Sequence, residues 1–245
     1  MIRILTVYHF EPRPEDVVEN LMYRPLVLPV RGPLAARDPV MSENSYAEMR
    51  AHHWAQLNWE SGITHYGFQH YRRLFALEPK GRPRFPLNLV SRDTFAQILA
   101  RLRALPANQQ EVLSAWVAQF DIATAMPFAG SLGDQFIKWH GIGPWRALID
   151  ALDTIEWEGP RDARIFYPAN MFIIRAELFE RYMTFWRAVM ALLSRTIEPE
   201  HGTRQERIFG FISERLWTLW LEHEKRIRAP ALKEVPVIGC AEWKI

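Results

Sequence analysis

Two adjacent arginines stand in the densest group of side chains that could do chemistry. Gln69-His70-Tyr71-Arg72-Arg73 closes a short strand predicted from His65 to Gln69, at the edge of a sheet where α/β folds bind ligands. Guanidinium groups match phosphate oxygens with fixed pairs of donors and neutralise charge that develops on a leaving diphosphate. The segment predicts a diphosphate site with His70 as a donor or acid. Ordinary surface arginines and a buried structural histidine are the alternative.

A second polar group, Asn44-Ser-Tyr46-Ala-Glu48, opens a helix predicted from Tyr46 to Trp59 with Ser42 as its N-cap. Glu48 lies where the helix dipole favours an anion. Asn44 and Glu48 are candidates to bind ligand hydroxyls. Simple helix capping explains the same residues.

Asn170 stands at the mouth of an otherwise apolar strand predicted from Ala169 to Arg175. Asparagine is a poor strand former, which indicates that another pressure placed it there. Turn chemistry is the alternative.

Arg207, Gly210 and Glu214 recur at helical spacing inside a helix predicted from Gln205 to Glu224. A glycine inside a helix costs about 1 kcal/mol relative to alanine, so Gly210 indicates close approach of a sugar or of another backbone. Glu214 would then point into the same space. A salt-bridge network of Arg207, Glu214 and Arg215 is the competing explanation.

The elements that must position these residues alternate between strands and helices. This alternation predicts an α/β fold, a mixed and mainly parallel sheet flanked by helices, in one domain over residues 1–245. A short strand at Leu26 to Val30 and a proline-rich linker at Pro79 to Pro86 complete the chain. The other predicted strands are 2–8 and 120–125, and the other predicted helices are 94–105, 109–119, 134–139, 144–152 and 177–194.

Composition excludes several classes of protein. The net charge of +2 argues against a nucleic-acid binder, and the single Cys240, in an apparent tail, excludes a disulfide framework and a multi-cysteine zinc site. His52 and His53 are neighbours on a helix and cannot face one ion, so no metal site is predicted. No apolar stretch is long enough to span a membrane, which predicts a cytoplasmic protein. Lys138-Trp139-His140 leaves peripheral contact with the inner membrane face open.

Seven motifs and single residues, spread over most of the chain, form a combined pattern. They are Val7-Tyr-His9, Asn44-Ser-Tyr-Ala-Glu48, Tyr66-Gly-Phe-Gln-His-Tyr-Arg-Arg73, Asp121, Gln135 with His140, Tyr167-Pro-Ala-Asn-Met-Phe172 and Gly210-Phe-Ile-Ser-Glu-Arg-Leu216. This pattern resembles a bacterial glycosyltransferase-like family of capsular and exopolysaccharide gene clusters, formerly a domain of unknown function, with a GT-A-like fold. Ala47 and Arg50 depart from the resemblance, because the family usually has Cys and Thr there.

The resemblance implies transfer of a hexose, with inversion, from a nucleotide sugar such as UDP-galactose or UDP-galactofuranose to a surface polysaccharide or lipid-linked oligosaccharide. It places Glu214 as the catalytic base beside His70, and Arg72 and Arg73 in place of a divalent metal. No resident cofactor is expected. The implied donor-binding residues are Tyr8, His9, Asn44, Tyr46, Glu48, Arg72 and Arg73. The implied acceptor-binding residues are Asp121, Gln135, His140, Asn170, Gly210 and Arg215. A non-catalytic carbohydrate-binding or scaffold protein is the alternative function.

Overall fold

A computed structural model describes residues 1–28, 38–77 and 86–242 of the chain. The helices are α1 (Pro39–Ser42), α2 (Met49–Leu57), α3 (Arg92–Arg103), α4 (Ala107–Val117), α5 (Leu132–His140), α6 (Ile142–Thr154), α7 (Ala176–Thr196) and α8 (Ile208–Ile227). The strands are β1 (Ile2–Tyr8), β2 (Tyr23–Val27), β3 (His65–His70), β4 (Arg73–Phe75), β5 (Leu87–Val90), β6 (Ile122–Ala125), β7 (Phe128–Ala129), β8 (Ile165–Phe166), β9 (Phe172–Arg175), β10 (Leu232–Val235) and β11 (Val237–Cys240). Short 3-10 turns cover Pro14–Asp16, Asn44–Tyr46 and Arg204–Arg207.

The strands form a mixed sheet, as the alternating pattern predicts. β1 lies between β2 and β3 and is parallel to both, while β9 runs antiparallel between β3 and β6. Because β3 and β6 are both antiparallel to β9, they run in the same direction as each other. β1 is parallel to β3, so β1, β3 and β6 all end at one edge of the sheet. β10 is parallel to β6, and β5, β11 and β4 extend the sheet beyond the end of β3.

Helices cover both faces of the sheet because successive strand residues point to opposite sides. In β1, Leu5 and Val7 join the core under α2 and α5 to α8, whereas Ile2 and Ile4 join the core under α3 and α4. The larger core is rich in aromatic rings, with Trp217 of α8 stacked on Phe172 at a centroid distance of 3.9 Å. The α/β fold prediction is therefore confirmed.

The helix predicted from Tyr46 to Trp59 is shorter in the structure, because the helical conformation is interrupted at Ala47. Ala47 has φ of 47°, so a 3-10 turn ends there and α2 begins only at Met49. Ser42 lies inside α1 and is not the cap of α2. Gly210 explains the close packing at this break, because a Cβ added to it would lie 2.7 Å from the Ala47 Cβ. Of the two explanations for this glycine, approach of another part of the chain is the correct one.

The end of the chain also differs from the sequence prediction. Cys240 is buried in β11, within the main sheet, and not in a tail. The short strands β4, β5, β10 and β11 were not predicted, because each has only three or four residues and pairs with distant segments. The strand expected at 26–30 begins earlier, as β2, and its residues 29 and 30 lie outside the described ranges. Most of the proline-rich linker also lies outside them.

Two late elements shift as well. Ala169 and Asn170 have positive φ, so β9 begins only at Phe172 and Asn170 belongs to a turn. Arg207 ends a 3-10 turn and α8 starts after it. Among the described residues, no helix combines the length and the apolar character that a bilayer span requires.

Candidate active site

A cavity of about 750 Å³ opens at the edge of the sheet where β3 and β6 end. The turn from 168 to 171 and the start of α8 complete its wall. This is the position at which α/β sheets commonly bind ligands, since loops diverge there. The cavity brings together eight of the predicted site residues, which are Glu48, His70, Arg72, Arg73, Gln135, His140, Glu214 and Arg215.

Glu48 is the most heavily contacted carboxylate of the cavity. Its Oε1 accepts from His9 Nε2 at 3.1 Å and from an Arg207 guanidinium nitrogen at 2.9 Å, and it lies 3.3 Å from His70 Nδ1. Burial raises the pKa of Glu48, but the charges of His70, Arg207 and His9, with the hydrogen bond from His9, outweigh it and hold that pKa well below its usual range. Glu48 is therefore a permanent anion in the cavity wall.

His70 ends β3 with both ring nitrogens occupied by the protein. Nε2 donates to the Ala169 carbonyl oxygen at 2.9 Å, and Nδ1 faces Glu48 Oε1. Burial lowers the pKa of His70 to about 4, against the attraction of Glu48. An acid role at a leaving group would require one of these contacts to break. The geometry instead makes His70 a link between Glu48 and the turn that carries Ala169.

Glu214 projects from the first turns of α8 into the same cavity. Its Oε1 accepts from the Ala169 backbone N–H at 3.1 Å and its Oε2 pairs with Arg215 at 2.9 Å. Burial, opposed by Arg215, raises the pKa of Glu214 above its usual value. The two carboxylates thus have pKa values that are shifted in opposite directions, a feature of sites that use one as a proton acceptor and keep the other ionised.

Arg72 and Arg73 line the cavity from the tight turn between β3 and β4. The Arg72 carbonyl accepts from the Cys240 backbone N–H at 3.1 Å, which ties the turn to β11. Neither guanidinium makes a hydrogen bond or ion pair with a carboxylate in the described part of the chain. Burial and then the charge of Arg72 lower the pKa of Arg73, while the charges of Glu214 and Glu48 act in the opposite direction without a direct ion pair.

An aromatic group lies beside this arginine pair. Tyr71 stacks on Tyr8 at 5.8 Å and meets Phe10 edge to face at 4.8 Å, and Arg72 lies 5.9 Å from the Tyr71 ring. Tyr8 is fully buried and its hydroxyl donates to the Asp16 carbonyl. The accessible rings next to the arginines are therefore those of Phe10 and Tyr71, and Tyr8 supports them from below.

A further part of the wall joins the predicted His140 to Arg204, Trp139 and Phe211, which the sequence analysis did not place in a binding site. Arg204 lies over the rings of Trp139 and Phe211, at 5.2 and 5.3 Å from their centroids. His140 stacks on Phe211 at 4.4 Å, and its Nδ1 donates to Gln205. These residues come from α5, the 3-10 turn at Arg204–Arg207 and α8. These residues come together only through tertiary packing, so no local sequence pattern predicts their proximity.

The remaining predicted residues lie away from the cavity surface. Asn170 donates to the Gly210 carbonyl at 3.2 Å and fixes the turn behind Glu214. Asn44 and Tyr46 line a separate surface cavity. Asp121 lies at the start of β6, on the far edge of the sheet, where it pairs with Arg175 and accepts from the Ala231 backbone N–H.

Both carboxylates of the cavity are engaged by protein cations, since Glu48 and Glu214 are each paired with an arginine. Within residues 1–28, 38–77 and 86–242, no group of three or more His, Cys, Asp or Glu side chains is arranged to hold a metal ion.

A comparison with solved structures supports the fold, and a family model matches part of the chain. Residues 146–225 match the model of a family described as a domain of unknown function (DUF4422). The apo structure of the WbbM bifunctional glycosyltransferase is similar, with a TM-score of 0.76 and 18% sequence identity over 98% of this chain. The chain spans 45% of the length of that protein. No curated protein matches the sequence.

Proposed function

We propose that the chain is a glycosyltransferase that passes a sugar from a nucleotide-sugar donor to a saccharide acceptor. The observation that carries this proposal is one cavity in which two neighbouring arginines, neither in an ion pair among the described residues, accompany a partly buried carboxylate of raised pKa. The similarity of fold to a bifunctional glycosyltransferase supports it. Each half of the reaction has a group suited to it.

The arginine pair is proposed to bind the diphosphate of the donor. Arg72 and Arg73 offer planar donors to phosphate oxygens, and the diphosphate supplies the negative charge that both guanidinium groups lack in the protein. Tyr71 lies next to Arg72, just outside the cavity lining, and Phe10 packs edge to face on it, so these rings offer a surface on which a nucleobase could stack. As the bond to the sugar breaks, the same guanidinium groups stabilise the charge that accumulates on the leaving diphosphate.

Glu214 is proposed as the general base. The acceptor hydroxyl oxygen attacks the anomeric carbon, its proton passes to the Glu214 carboxylate, and the electron pair of the breaking bond leaves with the nucleoside diphosphate. A raised pKa makes this carboxylate a better proton acceptor than an ordinary surface glutamate. Attack from the face opposite the leaving group would invert the anomeric configuration.

Glu48 and His70 are proposed to position this machinery. Glu48 stays ionised and gathers His9, His70 and Arg207 around one oxygen, which fixes the cavity wall between α2 and α8. His70 holds the Ala169 turn, whose N–H in turn orients Glu214. With the charge of the diphosphate met by arginines, we propose that the reaction requires no divalent metal ion.

The finer identity of the substrates rests on the family resemblance. A UDP-sugar, with galactose or galactofuranose, is the proposed donor, and a bacterial surface polysaccharide or lipid-linked oligosaccharide is the proposed acceptor. Reaction at the inner face of the membrane would suit such an acceptor. The exposed Trp139, with Lys138 beside it, is a side chain of the kind that contacts a bilayer surface.

Calorimetric titration with UDP, GDP and CDP, with and without manganese, tests the donor half of the proposal. We expect selective binding of one nucleoside diphosphate, unchanged by the metal and lost in Arg72→Ala. The matched control is Arg101→Ala, an exposed arginine of α3 far from the cavity. Absence of binding to every nucleotide would refute the transferase proposal, and strict dependence on manganese would refute the role given to the arginines.

A further inference from the structure

Arg204 is a cation of the cavity without a carboxylate partner among the residues that the structure describes. It is exposed, lines the cavity mouth, and lies over Trp139 and Phe211. Contact with two rings restricts an otherwise flexible side chain, so the guanidinium is held in place before any ligand arrives. Trp139 is 51% exposed and presents an aromatic surface at the same point.

The arginine pair and Arg204 reach the cavity from different parts of the fold. Arg72 and Arg73 come from the end of β3 and the start of β4, whereas Arg204 lies over Trp139 of α5 and Phe211 of α8. Glu214 lines the same cavity from α8. If the pair holds the donor, the group at Arg204 belongs to the acceptor.

The balance of charge points to an anion at this second position. Five arginines and two glutamates line the described cavity. Arg207 is paired with Glu48 and Arg215 with Glu214, which leaves Arg72, Arg73 and Arg204 without a direct ion pair in the described part of the chain. A donor diphosphate carries two negative charges and matches Arg72 and Arg73. One positive charge, that of Arg204, remains.

We propose that the acceptor saccharide carries an anionic group, a carboxylate or a phosphate, which Arg204 binds at the cavity mouth. The proposal rests on the proposed transferase function and adds the chemical class of the acceptor to it. Arg204 offers a fork of donors to either anion, and the Trp139 ring packs against the sugar that bears it. An acceptor without charge would leave Arg204 unmatched and would bind more weakly.

Ligand-observed NMR titrations of the full chain, at saturating UDP, separate these possibilities. The probes are methyl glucoside, methyl glucuronide and glucose 6-phosphate, which share a pyranose and differ in charge. Ion pairs to exposed side chains are screened by water and strengthen binding by up to about 5-fold, so we expect one or both anionic probes to bind about 2- to 5-fold more tightly than the glucoside. Which of the two benefits more distinguishes a carboxylate from a phosphate.

Three variants complete the experiment. Arg204→Gln should abolish the preference for anionic probes, Arg204→Lys should keep part of it, and the control Arg101→Gln should keep all of it. Equal binding of the three probes to the wild type, or a preference that survives in Arg204→Gln, would overturn the inference. Displacement of UDP by the anionic probes would overturn it too, because the anion would then bind at the arginine pair. Binding of UDP to the wild type reports separately on the proposed function.

Discussion

Replacing Arg73 with methionine tests whether the arginine pair is built for a ligand. Arg73 is largely buried beside Arg72 and has no carboxylate ion pair in the described part of the chain. Methionine retains an unbranched, flexible chain and removes the charge. If Arg73 is structural, its replacement should lower the stability of the ligand-free protein. If it is held for a diphosphate, its replacement should lower the affinity for that ligand and leave the ligand-free stability unchanged.

The expected magnitude follows from the lost contact. A hydrogen bond to a charged group contributes about 1.5–3 kcal/mol, so the Kd for UDP should rise about 10- to 150-fold in Arg73→Met. At UDP equal to 100 times the wild-type Kd, binding stabilises the wild type by about 2.7 kcal/mol. For a chain of this size that is a rise in Tm of about 5–10 °C. A variant with 100-fold weaker binding gains only about 0.4 kcal/mol, a rise of about 1–2 °C.

Thermal unfolding with and without UDP, together with calorimetry, measures both quantities. We expect the Tm of ligand-free Arg73→Met to equal or exceed that of the wild type, because a desolvated charge has been removed. Arg101→Met is the control and should retain the full UDP-dependent shift. A variant that binds UDP as the wild type does, or that loses stability without UDP while its affinity is unchanged, would refute the reasoning.

Three further predictions concern pH and packing. Because burial raises the pKa of Glu214 and the base acts ionised, kcat/KM should rise with pH through that raised pKa, so an acid limb at or below an ordinary glutamate value of about 4.3 contradicts the base assignment. Burial lowers the pKa of His52 from 6.5 to about 3, so its contribution to stability is complete above pH 6.5 and is lost as pH falls towards 3. At pH 4.5 His52 should account for a loss of about 3 kcal/mol in urea unfolding, so His52→Leu should lose that much less stability on acidification, and equal acid sensitivity of the two proteins would count against it. Gly210→Ala should destabilise the fold, since overpacking against Ala47 costs about 1–3 kcal/mol and the gain in helix propensity returns only about 1 kcal/mol. In the control Gly143→Ala the added Cβ meets no atom within 4 Å, so that variant should not be destabilised. A Gly210→Ala variant as stable as the wild type would contradict the packing argument.

The arginine pair could be located from the sequence because it depends on local pattern. His65 to His70 forms a buried strand, and residues that follow a strand in an α/β fold lie at its ligand-binding edge. Helical spacing from Gly210 likewise indicated Glu214, which lines the cavity from α8. The fold class followed from the same alternation of strands and helices.

The environment of Glu48 could not be predicted in this way. It depends on the positive φ of Ala47, which breaks the expected helix, and on Arg207, which lies 159 residues further along the chain. Arg204 and Trp139 likewise meet only because α5 and the turn before α8 pack together. The strand pairing of Cys240 is equally nonlocal, since β11 lies between β4 and β5.

The central claim is that this cavity transfers sugars, and release of UDP from UDP-sugars by the wild type and by Glu214→Gln tests it most directly. UDP-galactose and other UDP-sugars are incubated with the anionic and neutral saccharide probes, and free UDP and the new glycoside are measured together. We expect UDP and glycoside in equal amounts from the wild type, and a rate about 10²–10⁴-fold lower from Glu214→Gln with UDP affinity retained. Neither product from any UDP-sugar, or an unchanged rate in Glu214→Gln, would contradict the account.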